Sequence, residues 1–296
     1  MNSAKSASYK LIKKIKDDKF NIDNLHHYSL IIQIGIRDFQ LCVIDSRYNN
    51  CLILEDYILG SIKSYRELTG VLENIFDQHH LLKAGFWKNV KVGFKNNKFS
   101  LVPAHLFSNT SIPDYLKLNV KVDETKEEFL YYKHIKTDAV NTFSVNKVLF
   151  QWLNKTYPNL KLGYIPQSSG LIEGVLGQLK NYKPNNLFLY VDRFKLHIIT
   201  TRDGKLEYYN QFIIKQFSDY IKYIMTVLQG LGHNQKTTPV ILWGYIGKQS
   251  PHFHEFAKYI KNLTFGDRPD FLKYGYMFDE LQDHHFFDLY SLHLCD

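Results

Sequence analysis

A three-strand pattern that occurs twice limits how this chain can fold more than any other feature of its sequence. Residues 29–58 read SLIIQIGIRDFQLCVIDSRYNNCLILEDYI, and residues 186–214 read NLFLYVDRFKLHIITTRDGKLEYYNQFII. Each segment has three short apolar runs joined by turn residues, and helical spacing follows each of them. Aligning Phe39-Gln40-Leu41 with Phe194-Lys195-Leu196 superimposes the first two strands without gaps. The repeat predicts an α/β protein of two lobes with a cleft between them.

The 296-residue chain is long enough for both lobes, since a domain takes about 100–200 residues. We assign residues 1–183 to the first lobe and residues 184–296 to the second. Within the first lobe, residues 118–157 combine patterns of exposed strands with a helical pattern. This segment predicts a small inserted α+β subdomain.

Apolar spacing and turn residues predict the other elements. Residues 89–107 read as a hairpin with an Asn96-Asn97 turn, followed by a helical turn after Pro103. Ser168 or Ser169 is the expected N-cap of the helix that follows the strand at 161–166. The tail, residues 279–296, is expected to form a terminal helix on the second lobe. Further helices are predicted over residues 8–20, 64–82, 145–157, 215–232 and 250–263, and a buried strand over residues 238–247.

The two meanders and the stretch LVPAHLF at residues 101–107 resemble the actin-like ATPase superfamily of actin, Hsp70 and sugar kinases. Within it, the chain is similar to bacterial cell-division and pilus-assembly actin homologues. More narrowly, it is identified as a member of a bacterial family called domain of unknown function 3822. The resemblance implies a duplicated, ribonuclease-H-like fold over nearly the whole chain.

The resemblance also implies what an active member would need at the first meander. There an Asp-x-Gly triplet supplies a carboxylate that organises the water around Mg²⁺ and a glycine that lets the backbone approach phosphate. The matching triplet here is Gln33-Ile34-Gly35, so the glycine remains but a neutral amide replaces the acid. An amide is a poor substitute for a metal-organising carboxylate.

The other two motifs differ from the superfamily pattern in the same way. In the second meander the matching triplet is Phe188-Leu189-Tyr190, with neither acid nor glycine, although Asp192 lies four residues beyond Phe188. The strand that should end in Gly-Gly reads ILWGYIG at residues 241–247, where Gly244 is kept and Tyr245 replaces the second glycine. Ribonuclease-H-type nucleases also need clustered carboxylates starting on the first strand. Gln33 and Phe188 occupy that position in the two copies and exclude this class too.

We therefore expect no catalysis and no cofactor. The leading hypothesis is a non-catalytic actin-like pseudo-ATPase that acts as a protein-binding or scaffold module. The alternative is a divergent nucleotide-binding protein or ATPase that uses the cleft, with Arg37 meeting phosphate directly. The candidate cleft residues are Gln33, Gly35, Arg37, Asp192 and Gly244.

Composition limits the kinds of partner that this chain is expected to bind. The formal net charge is +8, with no long run of like charge and no nucleic-acid motif, so no nucleic acid is expected. The paired histidines have no accompanying metal-binding pattern, and Cys42, Cys51 and Cys295 have no metal-type spacing, so no metal site is expected. Without a signal peptide or an apolar run of spanning length, the chain is expected in the cytoplasm. The resemblance implies an unidentified protein partner or a homodimer, because actin-like relatives self-associate.

Overall fold

A computed structural model of the chain describes residues 9–296. Its strands are β1 (Tyr9–Lys16), β2 (Tyr28–Ile34), β3 (Asp38–Asp45), β4 (Asn50–Leu59), β5 (Asn89–Phe94), β6 (Phe99–Pro103), β7 (Glu127–Lys133), β8 (Ala139–Asn146), β9 (Leu162–Pro166), β10 (Asn186–Asp192), β11 (Lys195–Arg202), β12 (Lys205–Ile213), β13 (Val240–Gly244), β14 (Leu263–Phe265) and β15 (Lys273–Tyr274). Its α-helices are α1 (Tyr65–Gln78), α2 (Ile112–Lys117), α3 (Lys147–Thr156), α4 (Gln167–Gly177), α5 (Phe217–Gly230), α6 (Pro251–Tyr259) and α7 (Phe287–Ser291).

The two large sheets repeat one scheme, as the duplicated meander predicts. The sheet of the first lobe has the order β1-β4-β3-β2-β5-β9, and β15 pairs with the start of β4. The sheet of the second lobe has the order β12-β11-β10-β13-β14. In each sheet the first strand of the meander is antiparallel to the second strand and parallel to the strand that follows the helix. The apolar residues of β2, β3 and β10 are buried, which matches their continuous apolar sequences.

A third, small sheet has the order β6-β8-β7 and carries α2 and α3. The predicted hairpin over residues 89–107 is wrong, because β5 stays in the large sheet between β2 and β9 while β6 leaves to pair with β8. The Asn96 side chain holds this crossing by donating to Ser144 O at 2.8 Å. The small sheet thus includes β6 as well as strands of the predicted insert, 118–157; the domain limits stay a prediction. The helical turn after Pro103 is present at Ala104–Leu106.

The predicted helix over residues 8–20 is also wrong for the described part, which begins at residue 9. The segment forms β1, the antiparallel neighbour of β4, from Tyr9 opposite Leu59 to Lys16 opposite Ile53. Ile15 is buried while most of the strand is exposed. Its apolar residues fit helical spacing in sequence, but the unpaired edge of β4 offers backbone hydrogen bonds that decide the outcome.

Capping and turn residues explain several element boundaries. Helix α1 begins after the N-cap Ser64, and α6 begins at Pro251 after the N-cap Ser250. The β11–β12 turn has positive φ at Asp203 and Gly204, as a type I′ hairpin requires. Helix α4, however, already begins at Gln167 after Pro166, so neither Ser168 nor Ser169 is its cap.

The tail does not form the predicted long helix on the second lobe. Residues 287–291 form the short α7, and Leu292–Leu294 continue as a 3-10 turn. Phe287 stacks on Trp243 of the second lobe with ring centroids 4.1 Å apart, whereas Leu289 and Leu292 belong to the core of the first lobe. The tail therefore lies between the lobes and contributes to both.

No helix among residues 9–296 is long and apolar enough to cross a membrane. Cys42 and Cys51 are buried on the neighbouring strands β3 and β4, and Cys295 is buried in the tail; all three are free thiols.

Candidate functional site

The two meanders turn toward each other at the cleft. In the β2–β3 hairpin, Gly35 N donates to Asp38 O at 2.9 Å, and in the β10–β11 hairpin Asp192 pairs with Lys195. Both turns therefore contain two residues, and Gly35 is equivalent to Asp192. The predicted alignment of Phe39 with Phe194 is wrong by two residues. It is based on similar apolar residues, whereas the equivalence of positions in two hairpins is set by their distance from the turn. In the corrected register the triplet equivalent to Gln33-Ile34-Gly35 is Tyr190-Val191-Asp192.

The centre of the cleft is a buried lysine surrounded by three carboxylates. Lys95 directly follows β5, and its Nζ lies 2.7 Å from Asp38 Oδ2, 3.4 Å from Asp192 Oδ1 and 3.5 Å from Asp288 Oδ2. Asp38 comes from the first lobe, Asp192 from the second and Asp288 from α7. The lysine side chain is only 3% exposed. One ammonium group thus joins both lobes and the tail.

Amide and hydroxyl groups complete the coordination of these acids. Gln167 at the start of α4 donates to Asp192 Oδ2 at 3.1 Å and to Asp288 Oδ2 at 2.8 Å. The Tyr190 hydroxyl donates to Asp288 Oδ1. Buried charges are stable only when they are paired and hydrogen-bonded in this way.

A second ion pair spans the cleft beside the first. Both oxygens of Asp56 accept from Arg193 Nη2 at 2.9 Å, and Arg193 Nε donates to Asp38 Oδ2 at 3.3 Å. Gln40 donates to Asp56 at 3.0 Å and also to the Tyr245 hydroxyl. The Arg193 guanidinium lies 4.8 Å from the Tyr245 ring centroid, close enough for a cation–π contact.

Charges around the cluster keep both Lys95 and Asp192 in their charged forms. Burial by itself would lower the pKa of Lys95, but Asp192, Asp38 and Asp288 outweigh it and hold that pKa well above its ordinary value. Burial would likewise raise the pKa of Asp192, yet Lys95 and other nearby cations keep it low. For Asp288, burial and the neighbouring Asp192 win and raise the pKa. Burial lowers the pKa of Lys195.

The remaining cleft is small and largely apolar at its mouth. A cavity of about 190 Å³ is lined by Gly35, Arg37, Asp192 and Phe194 among others. The Arg37 guanidinium stacks on the Phe194 ring, 3.8 Å from its centroid, so the tips of the two turns touch. Pockets for small molecules are usually about 300–1,000 Å³, and this one is smaller. A larger depression of about 770 Å³ lies elsewhere, between residues 247–250 and 279–283.

The structure places three of the five candidate residues, Gly35, Arg37 and Asp192, in this one cavity. Gln33 is instead fully buried beneath the tail: a Cβ on the neighbouring Gly93 would meet both Leu292 and the Gln33 side chain. Gly244 has a φ of +104°, and a Cβ there would overlap the Val191 carbonyl oxygen and lie 2.7 Å from Val191 N. Its glycine is therefore required by strand packing.

Tyr245, the residue after Gly244, fills the place where the superfamily pattern has a bare backbone. Its ring packs against those of His285 and Phe286, at 5.8 and 5.9 Å between centroids. Among the described residues, no group of three or more His, Cys, Asp or Glu side chains is arranged to hold a metal ion, since Lys95 Nζ lies between Asp38, Asp192 and Asp288. Neither the central lysine nor the size of the cavity fits Mg²⁺ with ATP.

The profile of a family described as protein of unknown function (DUF3822) matches residues 17–263. This chain belongs to the DUF3822 family. The resemblance predicted from the meanders is thereby confirmed. No curated protein sequence matches the chain.

Two solved structures show how this DUF3822 member folds. One is a Bacteroides thetaiotaomicron protein with an actin-like ATPase fold and unknown function; it is 21% identical, has a TM-score of 0.79, and the match covers 94% of this chain and 99% of that one. The other is the PilM–PilN type IV pilus biogenesis complex, at 11% identity and a TM-score of 0.59, covering 90% of this chain and 97% of that one. The fold is that of the actin-like ATPases, as predicted.

The DUF3822 chain contains one further polar cluster with a suggestive geometry. Ser169 Oγ lies 3.3 Å from His134 Nε2, and His134 Nδ1 lies 2.8 Å from Glu173 Oε1, the connectivity of a hydrolytic triad. All three side chains are fully buried, so no substrate reaches the hydroxyl. The serine also accepts from Asn141 Nδ2 at 3.0 Å, and the cluster ties α4 to β8.

Sequence reasoning missed Lys95, Asp38 and Asp288. Each is a charged residue beside or within an apolar run, as in NVKVGFK and HHFFDLY. Such residues are almost never fully buried without a partner. In this DUF3822 chain, Lys95 and Asp288 have opposite charges and each lies beside an apolar run. Considered together, they indicate an internal ion pair.

Proposed function

We propose that this chain is a non-catalytic actin-like protein that binds other proteins or serves as a scaffold. The observation that carries the proposal is the position of Lys95. Its ammonium group lies among Asp38, Asp192 and Asp288, between the two hairpin turns where active relatives would organise a metal and phosphates. An ammonium ion and a divalent cation cannot share that place. The lysine is a cation that belongs to the chain and never leaves.

The interlobe contacts support the same proposal. Lys95 with Asp192, and Arg193 with Asp56, connect the lobes through largely buried ion pairs. Breaking a buried ion pair costs about 3–5 kcal/mol, so a lobe movement that opened the cleft would carry a large penalty. A closed arrangement of this kind favours a role as a fixed shape with constant surfaces.

A protein partner is part of the proposal. A protein of the same fold, PilM, occurs in a complex with PilN. The chain also has 21 Tyr and 21 Phe, and aromatic residues are enriched at protein interfaces. We extend the proposal to a homodimer or a heteromeric assembly, with its partner unidentified.

Thermal unfolding with millimolar Mg²⁺ and ATP tests the absence of nucleotide chemistry. We expect an unchanged melting temperature and no phosphate release. Micromolar binding at millimolar ligand would stabilise the folded state by about 4 kcal/mol and would contradict the proposal. Gly244 is unsuitable for the control because any side chain there strains the strand. Arg37→Ala is the better control, because Arg37 is exposed and would meet phosphate.

The alternative, a divergent nucleotide-binding protein, keeps one observation in its favour. Gly35, Arg37 and Asp192 line one cavity, and Arg37 has no carboxylate within ion-pair distance among residues 9–296. A stabilisation by ATP that Arg37→Ala abolishes would establish this alternative. An unchanged melting temperature in both proteins is the result that our proposal requires.

A further inference from the structure

Four large apolar side chains are exposed around the mouth of the cleft. Ile36 lies at the β2–β3 turn and Tyr65 begins α1, both in the first lobe, while Phe194 and Ile213 belong to the second lobe. Their exposed fractions are 52%, 41%, 48% and 57%. We call these four residues the cleft-mouth strip. Exposed apolar groups that occur together, instead of singly, are typical of interaction sites.

The strip follows a continuous groove. The cavity of about 190 Å³ and a neighbouring depression of about 220 Å³ share residues on both lobes. The shared residues are Gly35, Ile36, Lys95, Lys195 and Ile213. The second depression continues toward Tyr65 and the start of α3. A ligand lying along this groove would contact both lobes and the small sheet β6-β8-β7 with its helices.

Two of the cations that line this groove, Arg37 and Lys195, lack an ion-pair partner among residues 9–296. The acids that line it, Asp38 and Asp192, already pair with Lys95. Within residues 9–296, neither Arg37 nor Lys195 has a carboxylate within ion-pair distance; Lys195 Nζ donates to the Lys95 carbonyl at 3.1 Å. The Arg37 guanidinium lies flat on Phe194. A stacked guanidinium keeps the N–H groups on its edge available for a carboxylate.

From this pattern we infer that the groove binds a segment of a partner protein in which large apolar side chains stand next to Asp or Glu. The apolar side chains would cover the cleft-mouth strip, and the carboxylate would pair with Arg37. A contact of this groove with the same groove of a second copy does not fit, because it would bring the Arg37 and Lys195 side chains of the two copies together. The formal charge of +8 also favours an acidic partner.

The inference rests on the proposed protein-binding function and adds a consequence to it. The strip takes two residues from each lobe, so the segment binds only while the lobes keep their present arrangement. A ligand that contacts both lobes stabilises that arrangement by its differential affinity for it. Partner binding would then further stabilise the closed arrangement that the interlobe ion pairs already hold.

A phage-displayed library of random short peptides, selected on the immobilised full chain, tests the inference. We expect enriched sequences that combine large apolar residues with Asp or Glu. A fluorescent synthetic copy of an enriched peptide should bind Ile36→Asp at least about tenfold more weakly than wild type. Arg37→Glu should weaken binding similarly, and replacing the acid of the peptide with lysine should restore it.

The matched control is Ile22→Asp, since Ile22 has the same 52% exposure but lies in the 3-10 turn (Ile22–His27) before β2, at the other end of that strand from Ile36. It should leave the affinity within about twofold of wild type, as expected for a residue outside an interface. No enriched peptide, enriched peptides without acids, or equal binding by Ile36→Asp and Ile22→Asp would each overturn the inference.

The outcome is separable from that of the nucleotide experiment. If no peptide binds and ATP leaves the melting temperature unchanged, the inferred peptide-binding groove is wrong, and the proposed absence of nucleotide chemistry stands. If the peptide binds as expected and ATP stabilises the protein, the proposed absence of nucleotide chemistry is wrong, and the peptide-binding groove stands. Displacement of the peptide by ATP would assign the groove to a nucleotide and overturn the inference.

Discussion

Lys95 and Tyr245 occupy equivalent positions in the two halves of the molecule, and each reaches into the opposite half. Lys95 N donates to Ile34 O at 2.9 Å, and Tyr245 N donates to Val191 O at 2.8 Å, so each extends a parallel strand beside its meander. The lysine side chain crosses to Asp192, whereas the Tyr245 hydroxyl accepts from Gln40. The duplicated scaffold therefore places a cation in one half and an aromatic ring in the other at the same structural point.

Removing the Lys95 side chain should convert the closed centre into a cation site. Lys95→Ala leaves Asp38, Asp192 and Asp288 facing one another without a positive charge between them. We expect a loss of about 3–5 kcal/mol in the free energy of unfolding, because buried charges lose their partner. Mg²⁺, Ca²⁺ or Mn²⁺ should then restore part of it, about 2.7 kcal/mol at a hundredfold excess over the Kd. Chemical denaturation with and without each metal measures both effects.

The control for this experiment is Lys13→Ala, which removes a surface pair with Glu280. Exposed pairs contribute about 0–1 kcal/mol, so little change and no metal response are expected. A Lys95→Ala protein as stable as wild type, or one indifferent to metals, would show that the lysine does not substitute for a metal.

The arginines of the two turns, Arg37 and Arg193, should differ sharply in their contribution to the free energy of unfolding. Arg193 binds both oxygens of Asp56, whose side chain is only 4% exposed, so Arg193→Ala leaves a buried carboxylate unpaired. We expect a loss of about 3 kcal/mol or more in the free energy of unfolding. Arg37→Ala loses only the stacking on Phe194 and should cost about 1 kcal/mol or less. Equal losses in urea titrations of the two variants would contradict this assignment.

The sequence predicts the repeated sheets because buried strands need continuous apolar residues, which both meanders have. The prediction is wrong at β1, because pairing with the edge of β4 stabilises a strand where the apolar spacing is helical. It is also wrong at β5 and β6, which look like a hairpin in sequence. There β5 pairs in parallel with β2, about 60 residues earlier in the chain, and β6 pairs with β8. Long-range pairing of this kind leaves no local signal.

The candidate site could be predicted only in part. Gly35 stands at a motif position, Arg37 and Asp192 lie two residues beyond the matched triplets, and all three line one cavity. Lys95 and Asp288 are 193 positions apart in the sequence, and no spacing rule relates residues so far apart. Gln33 looked like a cleft residue because its triplet aligns with a catalytic motif, but the tail, whose placement has no sequence signature, covers it.

Acid should destabilise the protein partly through Glu55. Burial alone would raise the pKa of this carboxyl, but His79, Tyr57 and Lys14 bind it and lower the pKa from 4.5 to about 2. Between these two values the unfolded chain binds a proton that the folded chain does not, so stability falls as the pH falls. The contribution is fully present above about pH 4.5 and amounts to about 3 kcal/mol.

Glu55→Gln should therefore flatten the dependence of the unfolding free energy on pH between about 4.5 and 2. Denaturant titrations of wild type and variant at several pH values measure the difference between the two curves. Parallel curves through this range would mean that the network around Glu55 does not hold its carboxylate charged.

Two glycines within helices should respond in opposite directions to the same substitution. A Cβ on Gly174 in α4 would overlap the Ser291 hydroxyl and lie 2.7 Å from Ser291 Cβ, whereas a Cβ on Gly70 in α1 would meet nothing within 4 Å. Gly70→Ala should raise the free energy of unfolding by about 0.5–1 kcal/mol, because alanine is the better helix former. Gly174→Ala should instead lower it by about 1–3 kcal/mol through overpacking. Since α7 carries Asp288, displacing the tail should also loosen the Lys95 cluster, and backbone hydrogen exchange near Lys95 should rise in Gly174→Ala alone. Stabilisation by both substitutions would mean that the tail does not pack against α4 as closely as the structure has it.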